Sequence, residues 1–188
     1  MTRPVSHAAG AGPAAVTPHR LATEAAVEVM EAGGNAVDGA ITANAVLGVV
    51  LPTTCGIGGD LFALVHSPGD RAPATLNASG RGGAGLDPDA LAAAGLESIP
   101  LYGPESVTVP GCVAGWGALA ERFGTRPLGD LLQPAIRLAR EGFTASPELA
   151  AGLARLRPRI GGQPSAGPLY PGGASPAAGA TLTRPQLA

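Results

Sequence analysis

Lysine is absent: all 12 basic residues are arginine, set against 14 acidic residues for a formal net charge of -2. That balance leaves no concentrated basic surface of the kind that draws phosphate backbones or anionic membranes, so neither a nucleic acid nor a membrane is an expected partner. The missing lysine, beside abundant Ala, Gly, Pro and Arg, fits the codon bias of a GC-rich genome. Cysteine is scarce as well. Only Cys55 and Cys112 occur, in no CxxC or Cys/His cluster, which removes zinc and paired-redox roles and leaves two buried free thiols as the expectation. The three histidines, His7, His19 and His66, share no metal spacing; no metal and no cofactor is expected. Long apolar runs are missing too. The longest, Ala36 to Leu51, is broken by Asp38, Thr42, Asn44 and two glycines, and falls short of the roughly 20 apolar residues that span a bilayer. Residues 1–19 lack the continuous apolar stretch of a secretory signal, so export is not indicated and a cytoplasmic location is expected.

What is present is core material. With 188 residues, 45% of them hydrophobic, the chain can build one sizeable globular domain or part of a larger one. After a flexible start, Thr17 and Pro18 predict the cap and first position of a helix over 18–32, closed by Gly33. Its apolar positions Leu21, Ala22, Ala25, Ala26, Val29 and Met30 recur at helical spacing, with Glu24, Glu28 and Glu31 on a solvated stripe. Asn35 caps a second helix that is apolar nearly all round, as for a helix sandwiched inside a protein, and Pro52 ends it. "LFALVHS" then predicts a buried strand and "ATLNAS" its hairpin partner across a "GDRAP" turn. Two strands are not stable alone, so more sheet must come from elsewhere. "DPDALAAAG" reads as a short capped helix, "ESVTVPG" as a strand running into a turn, and "CVAGWGALAERFG" as an amphipathic helix closed by Gly124. In "LGDLLQPAIRLAREGF", Gln133 before Pro134 divides two helical pieces, the second ending at Gly142. From about Gly161, Gly, Pro, Ser and Ala dominate and little apolar area is available for burial, so residues 161–188 read as a loop or linker that stops without a closing element, the mark of a truncated chain.

The stretch "TTCGIGGDLF" (53–62) is a glycine-rich turn between two apolar runs. It is not a phosphate loop: "GIGGD" is not G-x-G-x-x-G, the helix precedes it, and no Gly-Lys-Ser/Thr follows. From the residues alone it is either a tight helix-to-strand connection or a backbone site facing a ligand. Ser79 has no G-x-S-x-G elbow around it and no Asp/His arrangement near it in sequence. Arg81 leaves the second strand flanked by Gly80, Gly82 and Gly83, so its guanidinium is either solvated or projects from an uncrowded loop to grip a carboxylate bidentately.

The order of the segments says more than any one of them. "PHRLATEAAVEVMEAGGNAVDGAITANAVLGVVLPTTCGIGGDLFALVH", "LNASGRGG", "VTVPGCVAGWGALAERFG" and "LLQPAIRLAREGF" resemble, in sequence and in order, the large-subunit half of the gamma-glutamyltranspeptidase family, over about residues 16–188. The resemblance implies an α+β fold, the αββα layered sandwich of N-terminal nucleophile hydrolases, incomplete in this chain: a flexible 1–15, the large-subunit part of the αββα domain over 16–160, and the loop or linker 161–188. It also implies a precursor that cleaves itself, whereupon a new N-terminal Thr attacks a gamma-glutamyl amide such as that of glutathione, its own α-amine serving as base. The family's Thr-Thr-His-like nucleophile stretch is absent here, and Thr53-Thr54 is not it, so no catalytic residue is assigned and these 188 residues alone are expected to be inactive. The partner implied is the missing C-terminal, small-subunit portion. Where the family places an arginine that clamps the substrate's α-carboxylate, this sequence reads "NASGRGGAG", which makes Ser79 and Arg81 the substrate-binding candidates. This "SGR" variant with "GIGGDLF" resembles the branch called transpeptidase-like or acylase-like, so the substrate implied is a gamma-glutamyl or acyl amide. In the family picture the glycines Gly56, Gly58 and Gly59 chiefly allow a tight crossing, and Asp60 is expected to brace the loop through backbone amides. A non-catalytic remnant acting as a binding or interaction module is the alternative.

Overall fold

A computed structural model of the protein describes residues 10–188; His7 and most of the expected flexible start lie outside the described residues. Helix α1 spans Arg20–Glu31, later than a Thr17 cap predicts. The Thr17 hydroxyl is engaged locally, donating to the His19 carbonyl at 2.7 Å with the Thr23 hydroxyl 2.9 Å away. His19 caps instead, its Nδ1 accepting the Leu21 N–H at 3.3 Å. Gly33, at φ +93°, turns the chain after α1 as expected.

Helix α2, Ala36–Val50, is the central element. A capping box starts it: the Asn35 side chain accepts from Val37 and Asp38 N–H, and Asp38 accepts from Asn35 N–H at 2.8 Å. Its burial on nearly every side follows from a pattern without a polar face, since α1 packs along it and three later helices touch it. The polar residues inside it are all partnered. Thr42 donates to the Leu131 carbonyl at 2.9 Å. Asp38 accepts the Thr125 hydroxyl at 2.5 Å and the Thr125 N–H, which ties the start of α2 to a turn nearly ninety residues on. Burial pushes the Asp38 carboxyl up, but the hydrogen bonds from Thr125, Asn35 and Arg126 outweigh it and hold its pKa below the ordinary value.

Strands β1 (Leu61–Val65) and β2 (Ala74–Ala78) form an antiparallel hairpin in which Leu61 faces Ala78 and Val65 faces Ala74. The expected buried strand is buried on one face only. Leu61, Ala63, Val65 and Leu76 pack against the helices, while Phe62 and Leu64, on the opposite face by the two-residue period, are 66% and 74% exposed. Helix α3 (Pro88–Ala93), capped by Asp87, lies in the crossing that follows. The expected strand over 105–111 does not form: a 3-10 turn at Pro104–Ser106 leads to a single bridge between Thr108 and Gly82. Pro110 has no N–H to give a ladder, and the segment facing Thr108 is glycine-rich.

Helix α4 (Cys112–Phe123) crosses under the hairpin, so close that a Cβ on Gly115 would lie 2.5 Å from Leu61 Cδ2. Helices α5 (Leu128–Leu131) and α6 (Gln133–Glu141) divide at the expected break before Pro134. Strand β3 (Phe143–Thr144) is followed by α7 (Pro147–Ile160), which has no counterpart among the expected elements, although Ser146 caps it and Pro147 occupies its first position. The Gly/Pro-rich stretch, expected as a loop or linker, holds 3-10 segments at Pro164–Leu169 and Pro171–Gly173 and is packed against the helices. Tyr170 is buried and donates to the Leu153 carbonyl at 2.9 Å, β4 (Thr181–Leu182) pairs antiparallel with β3, and Arg184 donates to the Gly48 and Val49 carbonyls at the C-terminal end of α2.

Candidate functional site

Three segments meet where the open end of the hairpin touches the N-terminus of α4. The first is the glycine-rich turn. Its Gly59 carbonyl accepts both the Gly111 and the Cys112 N–H, at 3.1 and 3.0 Å, so the turn is fastened to the start of α4. The second is the loop leaving β2, in which Ser79 donates its N–H to Asn77 Oδ1 at 3.0 Å. The third is the segment Thr108–Gly111, whose Val109 N–H donates to the Arg81 carbonyl at 2.8 Å. Two glycines make the junction possible. Gly80 has φ +75°, and a Cβ on it would overlap the Val109 carbonyl oxygen; a Cβ on Gly111 would overlap the carbonyl of Ala78.

Ser79 and Arg81 thus lie together on one loop of this junction. Arg81 is exposed and, with Gly80, Val109, Gly111 and Ala114, lines a shallow groove along the first turn of α4. Among the described residues no carboxylate lies within ion-pair distance of its guanidinium, the one ion pair being Arg20–Glu24. A fixed backbone carrying an unpaired guanidinium is suited to bidentate recognition of a ligand carboxylate. Asp60 does brace the loop, through a side chain rather than backbone amides: its Oδ1 accepts the Thr108 hydroxyl at 3.2 Å.

The other polar candidates do not join this junction. His19 caps α1 and His66 lies exposed just past β1. No group of His, Cys, Asp or Glu among the described residues is arranged to hold a metal ion. Cys112 is buried at the start of α4 and Cys55 half-buried in the turn, both free. Burial, then the nearby Cys55 and Asp60, pushes the Cys112 thiol up, which keeps it protonated and a weak nucleophile. Asn44, which in the sequence shows only as a polar break in an apolar run, accepts the Trp116 indole N–H at 2.9 Å and lies 3.6 Å from the Cys112 sulfur, anchoring the start of α4 to α2. Thr108 also escapes sequence reasoning, because its partners Asp60 and Gly82 are distant along the chain.

A sequence model of the gamma-glutamyltranspeptidase family matches residues 22–188. The chain belongs to that family. Among curated gamma-glutamyltranspeptidase relatives it is 40% identical to the glutathione hydrolase-like YwrD proenzyme of Bacillus subtilis over 70% of this chain and 25% of that one. To the oxamate amidohydrolase proenzyme of Klebsiella pneumoniae it is 33% identical over 93% of this chain and 34% of the other. The solved gamma-glutamyltranspeptidase of Helicobacter pylori superposes with a TM-score of 0.84 at 28% identity, covering 98% of this chain and 53% of that one. The cephalosporin acylase of Bacillus halodurans superposes with a TM-score of 0.81 at 35% identity, over 98% of this chain and 37% of that one. The chain therefore spans about a quarter to a third of the length of the curated relatives it matches. Its fold is the α+β fold of the N-terminal nucleophile hydrolases in incomplete form: a helical layer and a hairpin, with one sheet face uncovered.

Proposed function

We propose that this chain is the large-subunit part of an autoprocessed amide hydrolase or acyltransferase acting on gamma-glutamyl or acyl amides. Arg81 binds a carboxylate of the substrate, with Ser79 beside it on the same loop. The nucleophile is a threonine carried by a C-terminal, small-subunit portion whose sheet covers the open face of the hairpin. Its hydroxyl attacks the amide carbonyl, its own α-amine takes the proton and passes it to the departing amine, and the resulting ester is released to water or to an amine acceptor. The observation that carries this reading is the junction itself: a close-packed glycine backbone presents one exposed guanidinium with no ion-pair partner among the described residues. The relatives named as a glutathione hydrolase, an oxamate amidohydrolase and a cephalosporin acylase support the reaction class.

The product of the whole gene tests it with gamma-glutamyl-p-nitroanilide as substrate. A carboxylate held by a charged, bidentate partner contributes about 1.5–3 kcal/mol, so Arg81→Ala is expected to raise KM roughly ten- to a hundredfold with kcat little changed. An unchanged KM removes Arg81 from the site.

A further inference from the structure

Asp60 and Thr108 lie outside the groove lining, yet among the described residues they form the one side-chain hydrogen bond between the glycine-rich turn and the segment that holds the Arg81 loop. Thr108 is committed at both ends. Its backbone bridges Gly82, the residue after Arg81, and its hydroxyl donates to Asp60 Oδ1 at 3.2 Å. The next residue, Val109, donates its N–H to the Arg81 carbonyl at 2.8 Å. Asp60 itself follows Gly59, whose carbonyl is fastened to Gly111 and Cys112 at the start of α4. A chain of contacts therefore runs from the helix terminus through Gly59, Asp60 and Thr108 to the Arg81 carbonyl and Gly82, the backbone immediately after the Cα of Arg81. The loop itself offers little stiffness, because Gly80, Gly82, Gly83 and Gly85 flank the arginine and glycine is the residue with most backbone freedom to lose. A guanidinium on such a loop keeps a productive direction only if the backbone is held from outside.

We infer that Asp60 and Thr108 are positioning residues for Arg81: the carboxylate–hydroxyl bond fixes the loop so that the guanidinium meets the substrate carboxylate in one orientation. This rests on the assignment of Arg81 as the carboxylate-binding group. The exposed carboxylate does not neutralise Arg81, since no ion pair joins them among the described residues; it acts on the arginine through Thr108. The consequence is a shared phenotype. Because small misplacements of a binding group weaken substrate capture steeply, Asp60→Ala and Thr108→Val in the full-length protein are each expected to raise KM for gamma-glutamyl-p-nitroanilide roughly tenfold with kcat within about threefold. Thr108→Ser, which keeps the hydroxyl, is expected to restore the parental KM.

A double-mutant cycle separates the possible failures. If Asp60 acts through Arg81, adding Asp60→Ala to Arg81→Ala changes KM no further. Fully additive effects, or a normal KM in Asp60→Ala and Thr108→Val beside a raised KM in Arg81→Ala, overturn the positioning role and leave the Arg81 assignment standing. A normal KM in Arg81→Ala overturns both. A loss of kcat with KM unchanged in Asp60→Ala, or a KM raised as far in Thr108→Ser as in Thr108→Val, also overturns the positioning role, because general destabilisation or packing rather than the carboxylate–hydroxyl bond would then account for the effect.

Discussion

At the scale of single residues, the junction depends on what is left out as much as on what is there. Gly80 combines a positive φ of +75° with a position where any Cβ would meet the Val109 carbonyl. Gly83, three residues on, has open space around its Cα and no such dihedral constraint. The expected outcome is therefore lopsided. Gly80→Ala should lower unfolding free energy by about 1–3 kcal/mol or more through backbone strain, and Gly83→Ala should leave it within about 0.5 kcal/mol, as read from urea denaturation of the two variants. The sequence displays both glycines in one run and cannot rank them, since what distinguishes them is a carbonyl almost thirty residues away. As a candidate only, Arg81 was legible because an arginine among glycines is locally unusual. Thr108 and Asn44 were not, because nothing near either in the chain announces the partner that gives each its role.

At the scale of elements, local signals read well where local contacts decide the outcome. The Asn35 cap, the break before Pro134 and the Gly124 and Gly142 ends of α4 and α6 all follow from residues within one turn of the feature they set. Competition between neighbouring caps was not visible: Thr17 spends its hydroxyl on a turn, and His19 takes over the start of α1. The segment 105–111 has strand-like composition, yet its pairing needed a partner ladder that the glycine loop does not supply. The His19 cap carries a pH dependence. Only the neutral ring can accept the Leu21 N–H at Nδ1, and burial, then Arg20, lowers its pKa below the ordinary 6.5 against the opposing pull of Glu148 and Glu24. A histidine whose folded pKa is depressed contributes stability that is complete above 6.5 and is lost as the pH falls through the lowered value. His19→Asn keeps a side-chain cap without a titrating ring. Thermal midpoints across this window should fall less steeply with acid in His19→Asn than in the parent; equal slopes would show that the ring's proton does not couple to folding.

At the scale of the molecule, the helices cover one face of the hairpin and leave the other to solvent, with Phe62 66% and Leu64 74% exposed. Large apolar side chains on an uncovered sheet face, beside unpaired strand edges, invite association. The 188-residue chain on its own should self-associate on size-exclusion chromatography in a concentration-dependent way, and Phe62→Ser with Leu64→Ser should shift it toward monomer. A monodisperse parent chain would count against a missing covering layer. The alternation in "LFALV" shows two faces in the sequence; it does not show which of them the helices cover, because that is decided by residues distant along the chain. The central claim is that this chain works as one part of an autoprocessed enzyme whose nucleophile lies on another part. Intact-mass measurement and N-terminal sequencing of the protein purified from the whole gene test it most directly. Two polypeptides, the second beginning with threonine, are the predicted result, and a single polypeptide of 188 residues would contradict it.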